Sequence, residues 1–176
     1  MQASPLFTRR SIRSYTGEHV TGDELAFILD AAYAAPVGMG AFDSLHISVI
    51  RNAAFLSKLS GETSKAISRP GYDPFYGAPM LIIVSSRFPG LPNENSAYSN
   101  AAIAVENMSL ACAQLGVGSC LIWGAIRTLN KLPDMVARLN LPEGFVPCCA
   151  LTVGKTNETY EKRVIDRSRI KTAYLD

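Results

Sequence analysis

Apolar and polar positions divide the chain into alternating helical and extended stretches. Thr21-Gly22-Asp23-Glu24 is a capping-box pattern, and Leu25, Ile28, Leu29 and Ala32 follow on one helical face, which predicts a helix that stops before Pro36. Upstream, Ser4-Pro5 predicts a short helix through Arg9, with Ser4 as its cap. His46 to Ile50 reads as a strand and Ala53 to Leu59 as a short helix. Pro79 to Ser85 is nearly uninterrupted in apolar residues, as expected of a strand buried on both faces. Ser96 to Leu115 is apolar around most of its circumference, which predicts a long helix inside a core or between subunits, with Gly116 as its stop. On it Asn100, Asn107 and Gln114 recur at seven-residue spacing, a polar stripe expected to make structural hydrogen bonds. Strands follow at Ser119 to Trp123 and Phe145 to Val153, separated by a helix near Pro133 to Leu139. The tail from Lys155 to Asp176 has little core pattern of its own.

These elements fit one domain spanning residues 1–176, since chains split only when a single core grows too large. The sheet is expected to be central, and the fold to be α+β with a mixed sheet covered by helices. The composition is 48% hydrophobic and 18% charged, which implies a well-filled core and an apolar surface for a partner to cover.

Net charge is only +2, so no global field favours nucleic acid or an anionic membrane. Met1 to Arg10 lacks the apolar run of a secretion signal, and no segment reaches the roughly 20 apolar residues that span a bilayer. A cytoplasmic protein is the expectation. Cys112, Cys120, Cys148 and Cys149 form no CxxC pair and read as buried thiols. His19 and His46 lie far apart without a second ligand at metal spacing, so no metal site is expected.

The residues that carry chemistry are few. Arg9, Arg10 and Arg13, with Ser11 among them, offer forked donors and a hydroxyl, a set suited to a phosphate and to the electron-rich edge of a heterocycle. The second basic stretch, Lys162 to Lys171, is interrupted by Asp166 and makes no extended nucleic-acid footprint. Gly116-Val117-Gly118 leaves a helix instead of opening one after a strand, so it is no dinucleotide loop. No GxSxG or P-loop is present, and no cysteine has a nearby histidine. No side chain is expected to be catalytic, which leaves a bound cofactor as the source of reactivity.

Four segments, in order, resemble the nitroreductase family of FMN enzymes. Arg9-Arg10-Ser11-Ile12-Arg13-Ser14-Tyr15 resembles its opening RRSIRxF/Y motif, and Ala34-Ala35-Pro36-Val37-Gly38-Met39-Gly40 its loop after the second helix. Gly77-Ala78-Pro79 with the apolar run to Val84 resembles its AP strand. Asn107 to Cys120 is similar to its NMxLAAxxLGLGSC signature.

The resemblance implies that Arg9, Arg10 and Ser11 hold the FMN phosphate and ribityl chain, and that Arg13 reaches the pyrimidine edge of the isoalloxazine. It implies that Pro36, Val37, Gly38 and Met39 come from the partner of an intertwined homodimer, with the long helix in or near the two-fold interface. Backbone groups of Ile122, Trp123 and Gly124 would face flavin N5 and O4. Arg163, with Lys162, would complete the phosphate site, Arg167 and Arg169 being alternatives to Arg163. The implied activity is hydride transfer from NADH or NADPH through FMN to a small electron-poor acceptor such as a nitroaromatic or quinone. Dehalogenation, flavin breakdown or enoate reduction on the same scaffold, and a non-catalytic flavin-binding module, are the alternatives. One departure stands out: Gly40-Ala41-Phe42-Asp43-Ser44 replaces the Asn-x-Gln-Pro-Trp common in the family.

Overall fold

The computed structural model describes residues 4–87 and 94–175, so the outermost ends of the segments read as 1–10 and 155–176 lie outside it. Among the described residues four strands form one sheet: β1 (Leu45–Ile50), β2 (Met80–Arg87), β3 (Gly118–Ile122) and β4 (Phe145–Gly154). Their order is β1-β2-β4-β3, and every neighbouring pair is antiparallel. The expected mixed sheet is thus corrected for the described residues. Continuous apolarity in 79–85 reports cover on both faces, and that cover is independent of strand direction.

Both faces are indeed covered, and alternation along β2 shows how. Met80, Ile82 and Val84 point to one side, into a cluster with α2 (Gly22–Tyr33) and α4 (Glu94–Leu115). Leu81 and Ile83 point to the other, into a cluster with α3 (Ala53–Ala66), α5 (Gly124–Leu129) and α6 (Pro133–Ala137). Each fully buried branched side chain of this kind contributes about 1.5–3 kcal/mol through removal from water.

Local signals set the helix starts. The Thr21 hydroxyl accepts from the Glu24 amide at 3.2 Å, and Glu24 Oε2 accepts from the Thr21 amide at 2.8 Å, which completes the capping box. α1 (Pro5–Thr8) forms as expected, but Ser4 makes no side-chain cap bond. α3 runs to Ala66, well past the expected end at Leu59, because Phe55, Leu56, Leu59 and Thr63 keep one face buried through Gly61. α5 was not apparent from the pattern; a six-residue helix is too short to display a period.

Of the polar stripe on α4, Asn100 Oδ1 accepts from the Gly38 amide at 3.0 Å and Asn107 Nδ2 donates to the Ala31 carbonyl at 3.1 Å. Gln114 stays exposed. The apolar residues of α4 pack mainly on α2 and the sheet of their own chain, where Ala101, Ala104, Val105 and Met108 are buried. The apolar surface that remains open lies mostly elsewhere, including Phe7 on α1, Tyr33 on α2, and Val164, Ile170 and Leu175 in the tail.

Candidate functional site

β3 is an edge strand, and the arginine segment runs beside it. The Ile12 amide donates to the Ser119 carbonyl at 2.8 Å, and the Ile12 side chain is fully buried. Replacing Ile12 by Ala would cost about 2–5 kcal/mol as a cavity opens beneath the segment. The approach is close because Gly118 lacks a side chain: a Cβ there would lie 2.9 Å from Tyr15 Cε1 and 3.1 Å from Ile12 Cγ2. With Ile12 turned inward, Arg13 is exposed, while Arg9, Arg10 and Ser11 are half-buried.

Arg9 Nε is 2.9 Å from Glu106 Oε1 on α4. The first residues of the tail return to this place. Glu158 Oε1 accepts from the Arg13 amide at 3.3 Å, and the Tyr160 hydroxyl donates to the Val117 carbonyl at 2.7 Å. Burial pushes the Tyr160 phenol up to about 12, so it remains a neutral donor at physiological pH. The Arg163 amide then donates to the Phe7 carbonyl at 2.9 Å, which brings Lys162 and Arg163 to the helix immediately before Arg9. Both basic side chains are exposed. Arg167 and Arg169 lie further along the tail, where Arg169 faces Asp166.

Ile122 ends β3 as a buried residue, and Trp123 and Gly124 turn the chain into α5. Trp123 is 51% exposed, and its ring lies 5.9 Å from that of Tyr98. Beneath this turn is a cavity of about 220 Å³ whose walls include Ile122, Trp123, Gly124, Tyr72 and Tyr76. Arg13 lies 5.7 Å from the centroid of the Tyr76 ring, so Tyr76 stands between Arg13 and the end of β3. Tyr72 and Tyr76 were missed in the sequence, where no local pattern links them to Arg13.

Pro36 to Met39 stand apart. Gly38 is tied to Asn100, whereas Arg9 is tied to Glu106, about 9 Å further along α4 and on a different face. Among the described residues no hydrogen bond or ion pair joins this loop to Arg9–Arg13 of the same chain. Met39 is 93% exposed at a φ of 57°, a left-handed conformation uncommon outside glycine. Within the divergent residues 40–44, Phe42–Ser44 form a 3-10 turn, and Asp43 pairs with Arg87 at 2.8 Å.

All four thiols are buried. Burial pushes Cys112 and Cys149 up to about 12 and Cys148 up to about 11. Among the described residues no group of three His, Cys, Asp or Glu side chains could hold a metal ion, and no helix is long and apolar enough to cross a membrane. The place brings together guanidinium donors, hydroxyls and aromatic walls, a set chemically able to hold a polyfunctional ligand.

Known proteins resemble this chain in sequence and fold. An FMN reductase (NADPH) from Bacillus subtilis is 26% identical over 160 residues, covering 85% of this chain and 63% of that protein. A protein of Methanothermobacter thermautotrophicus, assigned by inference as an NADH dehydrogenase/NAD(P)H nitroreductase, is 30% identical over 177 residues, covering 93% and 82%. The crystal structure of a nitroreductase with bound FMN from Bacteroides fragilis superposes with a TM-score of 0.80 at 26% identity, covering 97% of each chain. The nitroreductase family model matches residues 6–155, which include the arginine segment, the Pro36 loop and all four strands. The chain belongs to the nitroreductase family.

Proposed function

We propose that this chain binds FMN and acts as an NAD(P)H-dependent oxidoreductase, a single-domain subunit of a cytoplasmic homodimer that reduces an electron-poor acceptor such as a nitroaromatic or quinone. The observation that carries the reading is the seating of Arg9–Arg13 along β3, with Arg163 brought beside it through Phe7 and Arg13 linked through Tyr76 to the Ile122–Gly124 turn. The residues present fit the cofactor. Arg9, Arg10, Ser11, Lys162 and Arg163 supply charge-assisted donors for a phosphate and hydroxyls. Arg13 sits at the other end of the segment, where a cation would face the pyrimidine edge.

FMN supplies the hydride chemistry when bound, accepting from NAD(P)H and passing to the acceptor. The protein contributes position and field. A guanidinium held near N1 and O2 stabilises the negative charge that reduction places there. Backbone groups of Ile122 to Gly124 would serve the N5 and O4 edge.

Two observations support shared sites in a dimer. The Pro36–Met39 loop projects Met39 into solvent in a strained conformation, away from the arginines of its own chain. The tail beyond Arg163 exposes Val164, Ile170, Tyr174 and Leu175, apolar residues that a second copy of the chain would cover.

An absorption spectrum of the purified protein, before and after anaerobic addition of NADH or NADPH, tests the reading. A flavin band that bleaches supports it. A colourless protein that takes up no added FMN sinks it, and a band that neither nucleotide bleaches marks a binding module without the reductase activity.

A further inference from the structure

Arg13 ends a row of four side chains. Its guanidinium faces the Tyr76 ring, and hydrogen bonding to the Tyr76 side chain is the largest cause of its raised pKa. The Tyr76 hydroxyl is 3.2 Å from the Tyr72 hydroxyl, and the two rings meet edge to face with centroids 6.4 Å apart. Arg69 closes the row, 4.6 Å from the centroid of the Tyr72 ring. Cation, ring, ring and cation thus run from the arginine segment to the turn after α3.

That turn holds Tyr76 in a conformation its residue type resists. Its φ is 57°, and bulky side chains rarely adopt the left-handed region. Asp73 secures it from both sides: Oδ1 accepts from the Phe75 amide at 3.0 Å and the Ser60 hydroxyl at 2.9 Å, and Oδ2 accepts from the Gly77 amide at 2.8 Å. The same Tyr76 lines the cavity beside Ile122, Trp123 and Gly124. A strained residue held by several bonds and facing two parts of a binding site points to a role in that site.

We propose that Tyr76, braced by Tyr72, is a positioning residue that holds the Arg13 guanidinium toward the pyrimidine edge of bound FMN. The inference rests on the FMN reading above. An exposed arginine samples many rotamers, and fixing it before the ligand arrives lowers the entropy lost on binding. A cation already in place also acts on the charge of the reduced cofactor without reorganising first.

The test measures FMN affinity by flavin fluorescence, the two-electron reduction potential of bound FMN, and thermal stability. The proteins are the wild type, Arg13→Ala, Tyr76→Asn, Tyr76→Phe and the Arg13→Ala/Tyr76→Asn double variant. Asn removes the ring yet tolerates the left-handed backbone. The expected result is that Tyr76→Asn weakens FMN binding threefold to tenfold and makes the potential more negative, a tenfold effect on reduction being about 30 mV. Tyr76→Phe keeps the ring but loses the hydroxyl that meets Tyr72, so it shows a smaller loss than Tyr76→Asn, and Tyr76→Asn adds nothing once Arg13 is gone. Wild-type affinity and potential in Tyr76→Asn, with only the thermal midpoint lowered, would show that Tyr76 braces the turn and nothing more. Additivity with Arg13→Ala overturns the proposal equally. If Arg13→Ala itself changes neither affinity nor potential, the placement of Arg13 falls and this inference with it, while a wild type that binds no FMN refutes the function. Should Tyr76→Asn fail to fold, Tyr72→Phe carries the same comparison with a smaller expected shift.

Discussion

The Tyr15 hydroxyl lies 2.7 Å from the Thr152 hydroxyl, a contact that fastens the end of the arginine segment to the middle of the sheet. Tyr15 is also 3.2 Å from the Ile12 carbonyl, and Thr152 donates to the Cys120 carbonyl at 3.2 Å. Two hydroxyl protons therefore serve three contacts, and burial raises the Tyr15 pKa far above that of a free phenol, so the donor stays protonated. Tyr15→Phe should cost about 1 kcal/mol. In a chain of this size that lowers the thermal midpoint by about 2–4 °C. An unchanged midpoint would mean that the network contributes nothing net.

Arg9 reaches the expected phosphate site already paired with Glu106. The pair is partly exposed, so it contributes only about 0.2–1 kcal/mol, less than a charge-assisted phosphate contact of roughly 1.5–3 kcal/mol. Arg9→Ala should weaken FMN binding by an order of magnitude or more. Glu106→Gln should tighten it by up to about fivefold, because the carboxylate competes for the guanidinium and repels the phosphate. Weaker binding in Glu106→Gln would instead make Glu106 a support for Arg9. Titration of the apoproteins with FMN decides between these.

Gly118 allows the arginine segment to approach β3. A Cβ at this position would meet Tyr15, Ile12 and the Gly154 carbonyl, the last at 3.1 Å. Gly118→Ala should cost about 1–3 kcal/mol through overpacking. FMN affinity should fall together with stability, because the relief available is to push Ile12 and Tyr15 outward. Loss of stability with wild-type FMN affinity would separate the segment from the site.

Glu24 couples acid stability to the start of the tail. Its pKa is lowered first by the hydrogen bond from Lys155, 2.5 Å away, and next by the Thr21 backbone amide. Unfolding returns the carboxyl to its ordinary value of 4.5. The stabilisation is therefore fully present above about pH 4.5 and is lost as the pH falls below that toward the folded value. Glu24→Gln should be less stable than the wild type at neutral pH and show a shallower loss on acidification. Urea midpoints at pH 7 and below about pH 4 measure this, and parallel acid limbs would exclude the coupling.

Removing residues 162–176 leaves Glu158, Tyr160 and their bonds to Arg13 and Val117 in place but takes away Lys162, Arg163 and the exposed apolar tail. The shortened chain should stay folded yet lose dimer and flavin together. Light scattering and absorbance report the two losses separately. A monomer fully loaded with FMN would place the whole site within one subunit.

Helix starts were legible because they are local: Thr21 and Glu24 are three residues apart, and their reciprocal bonds form wherever that segment becomes helical. The β2 run declared its own burial, and the order of the arginine, Pro36, Ala78-Pro79 and Gly116–Cys120 segments carried the family on sequence alone. Strand direction was not legible, since it depends on which strands become neighbours, and apolarity in 79–85 is the same for parallel and antiparallel pairing. Nor could the pattern place Glu106 on Arg9 or Tyr76 on Arg13. Those contacts join residues far apart in the chain, and they exist only because α4 packs over the sheet and the turn after α3 closes beside the end of β3. Periodicity records which face of an element is buried; only the packed structure decides which side chains meet across it.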